Sequence, residues 1–189
     1  MPSIHTLAPA AAATVLRGGG VLAYPTESVW GLGCDPRDAA AVHRLLAIKR
    51  RDPAQGLILI ASQRAQLDAF VRWDALDAAR LDAVYDSWPG PNTWLMPCPP
   101  DTPTWLRGKH ATLAVRVTAH PVAAALCEAF GGALVSTSAN RSGAPAPRSI
   151  DALDPELVAA LDGVVAGDTG GDAQPSTIRD ARSGTVLRG

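Results

Sequence analysis

Apolar and polar positions along this chain switch repeatedly between a helical and a strand period. Residues 9–17 are Ala-rich and end at Gly18-Gly19-Gly20, the pattern of a helix with a glycine stop. Residues 20–24 read as a short buried strand, and 25–36 as a loop whose Gly31 and Gly33 permit tight turns. Residues 38–48 predict a helix with Val42, Leu45 and Leu46 on one face. Asp52-Pro53 stops it, because the residue before a proline avoids the helical region. Residues 57–61 form a continuous apolar strand. Helical stretches follow near 63–71 and 75–87, then a strand at 93–96 after the turn Pro89-Gly90-Pro91.

Residues 111–118 alternate cleanly, Leu113, Val115 and Val117 one way and Thr112, Ala114 and Arg116 the other. Residues 121–130 are a helix with Pro121 in its first turn, ended by Gly131-Gly132. A strand at 133–136 runs into Thr137-Ser138-Ala139-Asn140. A helix at 154–161, a strand at 163–166 and a hairpin pairing 176–179 with 185–188 complete the pattern. Strands and helices alternate, so the expected class is α/β. No repeat or linker divides residues 1–189, which read as one domain.

Composition changes this picture little. Apolar residues are 47% and charged residues 19%, ordinary for a globular chain. The net charge of −1 lacks the basic surplus of a protein that coats nucleic acid. Cys34, Cys98 and Cys127 are odd in number and dispersed, with no disulfide or zinc pattern. The start Met1-Pro2-Ser3-Ile4-His5 carries no leader signal, and no apolar run is long enough to span a bilayer. A cytoplasmic location with no membrane contact is expected. Lys49 and Lys109 are the two lysines against 15 arginines, a pattern that draws attention to positions where a compact ammonium is needed.

The Walker and dinucleotide glycine patterns are absent, as are a nucleophile elbow and metal-ligand spacing among the histidines. What remains is a set of cations, hydroxyls and one amide at strand ends, where α/β folds commonly bind ligands. Lys49 and Arg51 would face the same way if the helix ended near Ile48, although cations there also complement the helix dipole. Ser136, Ser138 and Asn140 share one side of an extended segment and suit phosphate, ribose or carboxylate oxygens. Thr112 and Arg116 share a strand face, and a buried Arg116 would need an anionic partner. Pro25-Thr26-Glu27-Ser28 reads equally as a turn and cap. Ser176, across the hairpin from Arg188, carries little specificity by spacing alone.

Taken in order, these segments resemble one family. Tyr24-Pro25-Thr26-Glu27-Ser28-Val29-Trp30-Gly31-Leu32-Gly33 is similar to its opening signature, and Lys49-Arg50-Arg51 to its K-x-R element. Trp88-Pro89-Gly90-Pro91-Asn92-Thr93, Leu113-Ala114-Val115-Arg116, Ser136 to Asn140 and Pro175-Ser176-Thr177-Ile178 resemble the rest. The resemblance is to the YrdC-like threonylcarbamoyl-AMP synthases, in their short single-domain bacterial form. Asn92 departs from a usual apolar residue. Asp52-Pro53 stands where relatives often have proline directly after the Arg, and Asp52 is a candidate ion-pair partner for Arg51.

The resemblance implies a twisted open mixed sheet with flanking helices around a concave basic surface. It implies that L-threonine, bicarbonate or CO2, and ATP give threonylcarbamoyl-adenylate and diphosphate, with Mg2+ accompanying ATP. The product serves the threonylcarbamoyl modification of adenosine 37 in tRNA, completed by a separate transferase complex. Lys49 and Arg51 would stabilise phosphate charge. Lys49, Thr112, Ser138, Asn140 and Arg188 would contact ATP, and Thr26, Arg116, Ser136 and Ser176 the threonine. Weak contact with tRNA is compatible with such a surface. Two alternatives fit less well: a non-catalytic RNA-binding or ribosome-maturation factor, disfavoured by the near-neutral charge, and a hydrogenase-maturation carbamoyltransferase, whose additional zinc-finger and acylphosphatase parts have no counterpart here.

Overall fold

The computed structural model describes residues 5–172 and 174–188. Residues 1–4, read above for a leader, lie outside the described residues. Ten strands form one mixed sheet in the order β1-β8-β2-β3-β7-β4-β6-β5-β9-β10. In chain order the strands are β1 Thr6–Leu7, β2 Leu22–Pro25, β3 Trp30–Gly33, β4 Ile58–Ala61, β5 Asn92–Pro97, β6 Thr112–Val117, β7 Leu134–Ser138, β8 Gly163–Val165, β9 Thr177–Asp180 and β10 Val186–Arg188. The helices are α1 Pro9–Arg17, α2 Ala39–Lys49, α3 Ala78–Asp86, α4 Thr104–Arg107, α5 Pro121–Phe130 and α6 Pro155–Val158.

Local chemistry explains several boundaries. α1 and α5 both begin on proline, whose fixed φ suits the first helical turn and whose missing N–H is not needed there. Gly131 closes α5 at φ 85°, a left-handed conformation that costs glycine little. α2 begins at Asp38, whose carboxylate accepts from the Ala40 and Ala41 amides.

Two apolar layers cover the sheet. On one side Ala12 and Leu16 of α1 and Ala123, Leu126 and Cys127 of α5 pack with Leu22, Tyr24, Ile60, Leu134 and Val165. On the other, Val42, Leu45 and Leu46 of α2 and Val84 of α3 pack with Leu32, Leu59, Leu113, Val115 and Val135. Burial of both strand faces explains why β4 reads as unbroken apolar sequence.

The sheet departs from the sequence reading in one consequential place. The sequence predicts a loop over 25–36, yet Trp30–Gly33 is a buried strand, antiparallel to both β2 and β7. Its glycines permit close packing instead of turning the chain. A Cβ on Gly33 would sit 2.4 Å from the Val135 carbonyl oxygen and 2.6 Å from the Tyr24 ring. The stretches near 63–71 and 75–87 also differ. The first is a short 3-10 turn at Arg64–Leu67, whereas the second holds the helix α3, preceded by a 3-10 turn at Trp73–Ala75.

Strand register places the polar residues together. Ile60 of β4 pairs with Arg116 of β6 and with Leu134 of β7, and one row away Ile58 pairs with Ala114 and Ser136. Side chains in such rows share a face. Arg116 and Ser136 therefore emerge on the face covered by α1 and α5, beside that apolar layer.

Candidate active site

A cavity of about 230 Å³ opens on that face. Arg51, Arg116 and Arg188 line it, with Thr26, Glu27, Ser28, Ser136, Ser138 and Ser176. With Thr137 it brings together three guanidiniums, six hydroxyl-bearing residues and one carboxylate from distant parts of the chain. Four buried side-chain polar atoms of these residues lack an intramolecular hydrogen bond: Glu27 Oε2, Ser28 Oγ, Arg51 Nε and Arg116 Nε. Buried polar groups are normally satisfied, so their concentration here marks a place built for a polar ligand.

Arg116 is 7% exposed, and its Nη2 lies 3.3 Å from Glu27 Oε2. Glu27, 6% exposed, accepts through Oε1 from the Thr118 hydroxyl at 2.8 Å and the Ala119 amide at 3.1 Å. The anionic partner that a buried Arg116 requires is therefore Glu27, whose local sequence signals only a turn and cap. The Thr26 hydroxyl donates to the Val29 carbonyl at 2.7 Å. Ser136 is buried beneath the cavity, next to Tyr24, whose phenol burial pushes well above its ordinary range. Ser176 shares a hydrogen bond of 2.9 Å with Thr93. Arg188 donates to the Ser176 carbonyl at 3.0 Å, tying the terminal hairpin to the cavity wall. Burial, and then the nearby Arg116 charge, lower the Arg188 pKa.

The two cations at the end of α2 are placed differently: Arg51 lines the cavity and Lys49 does not. Lys49 is the last helical residue, 2% exposed. Its Nζ donates to the Asn140 carbonyl at 2.6 Å and to the Ser138 carbonyl. Burial, then the Arg51 charge, lower the Lys49 pKa to about 8. Arg50 adopts the left-handed conformation, with φ 52° and ψ 43°, and its amide donates to Ala47. The Arg51 amide donates to Leu46. This pair of bonds closes a Schellman motif, usually built on glycine, and turns the chain so that Arg51 lines the cavity. The extended segment expected after Ile48 is replaced by this tighter reversal. Arg51 donates to the Gly56 carbonyl at 3.0 Å. Asp52 instead caps the 3-10 turn Pro53–Gln55, accepting from the Ala54 amide at 2.9 Å. Among the described residues no ion pair joins Asp52 to Arg51.

Three expected ligand residues lie off the main cavity wall: Lys49, behind the Ser138 carbonyl, Asn140 and Thr112. Asn140 turns its amide group inward, donating to the carbonyls of Arg141 and Ala144. Thr112 lines an adjoining apolar pocket of about 110 Å³ with Leu57, Leu95, Leu106 and Ala114, and Ile58 is a wall common to both. Gln174 and Pro175, beside Ser176, complete the rim. Gln174 carries no signal in the sequence; it lines the cavity from the segment that leads into β9.

A family model described as telomere recombination, covering Sua5, YciO and YrdC, matches residues 14–189. The chain belongs to the Sua5/YciO/YrdC family. Proteins named threonylcarbamoyl-AMP synthase are 55% identical in Stenotrophomonas maltophilia and 58% identical in Xanthomonas euvesicatoria pv. vesicatoria. Each match spans 177 residues, 94% of this chain and 95% of the relative. The P. abyssi Sua5 structure complexed with L-threonine superposes with a TM-score of 0.84 at 30% identity, over 91% of this chain and 50% of that one. E. coli YciO superposes with a TM-score of 0.77 at 26% identity, over 95% of this chain and 87% of that one. The shared fold is a single large twisted mixed sheet with flanking helices.

Proposed function

We infer that this chain is a threonylcarbamoyl-AMP synthase, a nucleotidyltransferase that converts L-threonine, bicarbonate or CO2, and ATP to threonylcarbamoyl-adenylate and diphosphate. The observation that carries this reading is the convergence of Arg51, Arg116 and Arg188 with six hydroxyl-bearing residues around one cavity, in a chain so similar to proteins of that name.

The chemistry asks for this arrangement. Threonine attacks CO2 through its amine, giving a carbamate. A carbamate oxygen then attacks the α-phosphorus, and diphosphate leaves. Such phosphorus chemistry needs alignment and charge neutralisation more than a protein nucleophile. Arg116 receives the threonine carboxylate in a bidentate fork, with Thr26, Ser136 and Ser176 around the rest of the amino acid. Lys49 and Arg51 stabilise the phosphate charge, with Ser138 and Asn140 at that end. Arg188 closes over the nucleotide, whose nucleoside end extends past Ile58 toward Thr112. Lys49 already holds two carbonyls of the β7 exit, so its third N–H is the donor left for a phosphate.

Mg2+ fits as a companion of the triphosphate. Among the described residues no three His, Cys, Asp or Glu side chains gather as metal ligands, while the Ser136 and Ser138 hydroxyls are oxygen donors available to a hydrated ion. When bound on ATP, Mg2+ supplies further neutralisation of phosphate charge.

The product feeds the threonylcarbamoyl modification of adenosine 37 in tRNA through a separate transferase complex. The chain acts in the cytoplasm as a single domain over residues 1–189, and any contact with tRNA is secondary to catalysis. Incubation with ATP, bicarbonate and threonine while diphosphate is followed tests the reading. Release that depends on threonine is expected. Release indifferent to threonine, or none across a range of Mg2+ concentrations, refutes it.

A further inference from the structure

Among the cavity-lining residues Glu27 is the one carboxylate, set against three guanidiniums. Its placement is tightly determined. Oε1 accepts from Thr118 and Ala119, and its carbonyl accepts from the Asp172 amide at 3.0 Å. Gly170 packs so closely that a Cβ there would sit 3.0 Å from the Glu27 carbonyl oxygen. The other carboxylate oxygen, Oε2, faces Arg116 Nη2 at 3.3 Å and has no hydrogen-bond partner.

As a purely structural ion pair this is a poor arrangement. Two buried charges stabilise a fold only when the remaining lone pairs and N–H groups are satisfied. Here Glu27 Oε2 and Arg116 Nε both lack hydrogen bonds. A role in recognition accounts for it better. Three arginines alone would attract phosphate, simple carboxylates and dicarboxylates alike. One fixed anion beside the carboxylate-binding arginine changes what the cavity favours. It presents a positive and a negative charge side by side, the complement of an α-amino acid, whose carboxylate and ammonium are carried on one carbon.

We propose that Glu27 is the specificity-determining charge of the cavity, selecting a zwitterionic amino acid over an acid that lacks the ammonium group. The inference rests on the reading of Arg116 as the receiver of the threonine carboxylate. Glu27 acts across a buried, weakly screened distance, attracting the ammonium with which the substrate arrives.

The test compares L-threonine with (2S,3R)-2,3-dihydroxybutanoate, which keeps the carboxylate and side-chain hydroxyl but replaces the amine by a hydroxyl. Binding of each is measured by calorimetry to the wild-type chain and to Glu27→Gln, whose amide oxygen can still accept from Thr118 and Ala119. The wild type is expected to prefer threonine by roughly tenfold or more, the scale of an interaction with a charged group. Glu27→Gln is expected to lose most of that preference. If it weakens both ligands equally and the preference survives, Glu27 only holds Arg116 and the proposal is overturned. Glu27→Asp, which retains the charge, provides a second measurement should the amide variant fail to fold. It is expected to bind more weakly yet still prefer threonine, and equal affinity for both ligands would overturn the proposal. A wild-type chain that binds neither ligand contradicts the threonine reading itself, which separates that failure from the failure of Glu27 as selector.

Discussion

Replacing Lys49 with Met separates catalysis from folding. Methionine is long, flexible and apolar enough to occupy the buried volume. The variant loses the bonds to the Ser138 and Asn140 carbonyls, a cost of roughly 1–3 kcal/mol for each acceptor left without a partner. It also removes a buried charge whose pKa lies at about 8 instead of 10.5. At about 1.4 kcal/mol per pKa unit, relief of that burial contributes about 3 kcal/mol in the opposite direction. The two effects largely offset, so unfolding free energy should change by no more than about 3 kcal/mol. Activity has no such compensation, because loss of a preorganised donor to developing charge costs about 10²- to 10³-fold.

The stability difference should also vary with pH in a fixed direction. Below about pH 8 Lys49 is protonated in folded and unfolded chains alike, and its burial cost is fully present. Between about 8 and 10.5 the unfolded chain binds more protons, so wild-type stability rises relative to the variant. Denaturant unfolding across this range and threonine-dependent diphosphate release give the two readouts. Activity within tenfold of wild type, in a variant that remains folded, would refute the phosphate role of Lys49.

Further predictions concern the neighbouring groups. Arg116→Lys keeps a charge beside Glu27 but loses the planar fork. It should raise the KM for threonine by roughly tenfold or more and leave the KM for ATP nearly unchanged, as measured by initial rates with each substrate varied. Asp52→Asn should leave turnover within about twofold, since asparagine caps a helical turn about as well as aspartate and Asp52 caps Pro53–Gln55. A large loss in steady-state assay would show that Asp52 acts through Arg51 after all. In the wild type, kcat/KM for ATP should fall as pH rises through about 8, where Lys49 in the free enzyme loses its proton. The same limb in kcat should move upward, because bound phosphate favours the charged lysine.

Some of this molecule is written locally in its sequence and some is not. α1 and α5 carry proline at the start and glycine at the end, and β6 alternates in strict period two, so neighbours alone suffice to place them. β3 does not reveal itself, because Trp30-Gly31-Leu32-Gly33 has the glycines of a turn. The need for Gly33 comes from Tyr24 and the Val135 carbonyl, which pack against it only in the folded sheet. Ser136 and Ser138 were legible as one face by period two. The route of Arg51 into the cavity was not, since it depends on Arg50 taking a conformation that local rules reserve for glycine. Glu27 was hidden for a related reason: its partners Arg116, Thr118 and Ala119 stand far along the chain. The order of motifs carries the family identity, while the charge pairing within the cavity emerges only from strand register.

The central claim, adenylation of a carbamate made on threonine, is tested most directly by the nucleotide product itself. The chain is supplied with ATP, Mg2+, L-threonine and ¹³C-bicarbonate, and the quenched mixture is analysed by mass spectrometry. The account predicts an adenylate with the mass of threonylcarbamoyl-AMP, one mass unit heavier than the product from unlabelled bicarbonate and absent when threonine is omitted. ADP and phosphate as products, or AMP and diphosphate without a labelled adenylate, would contradict it.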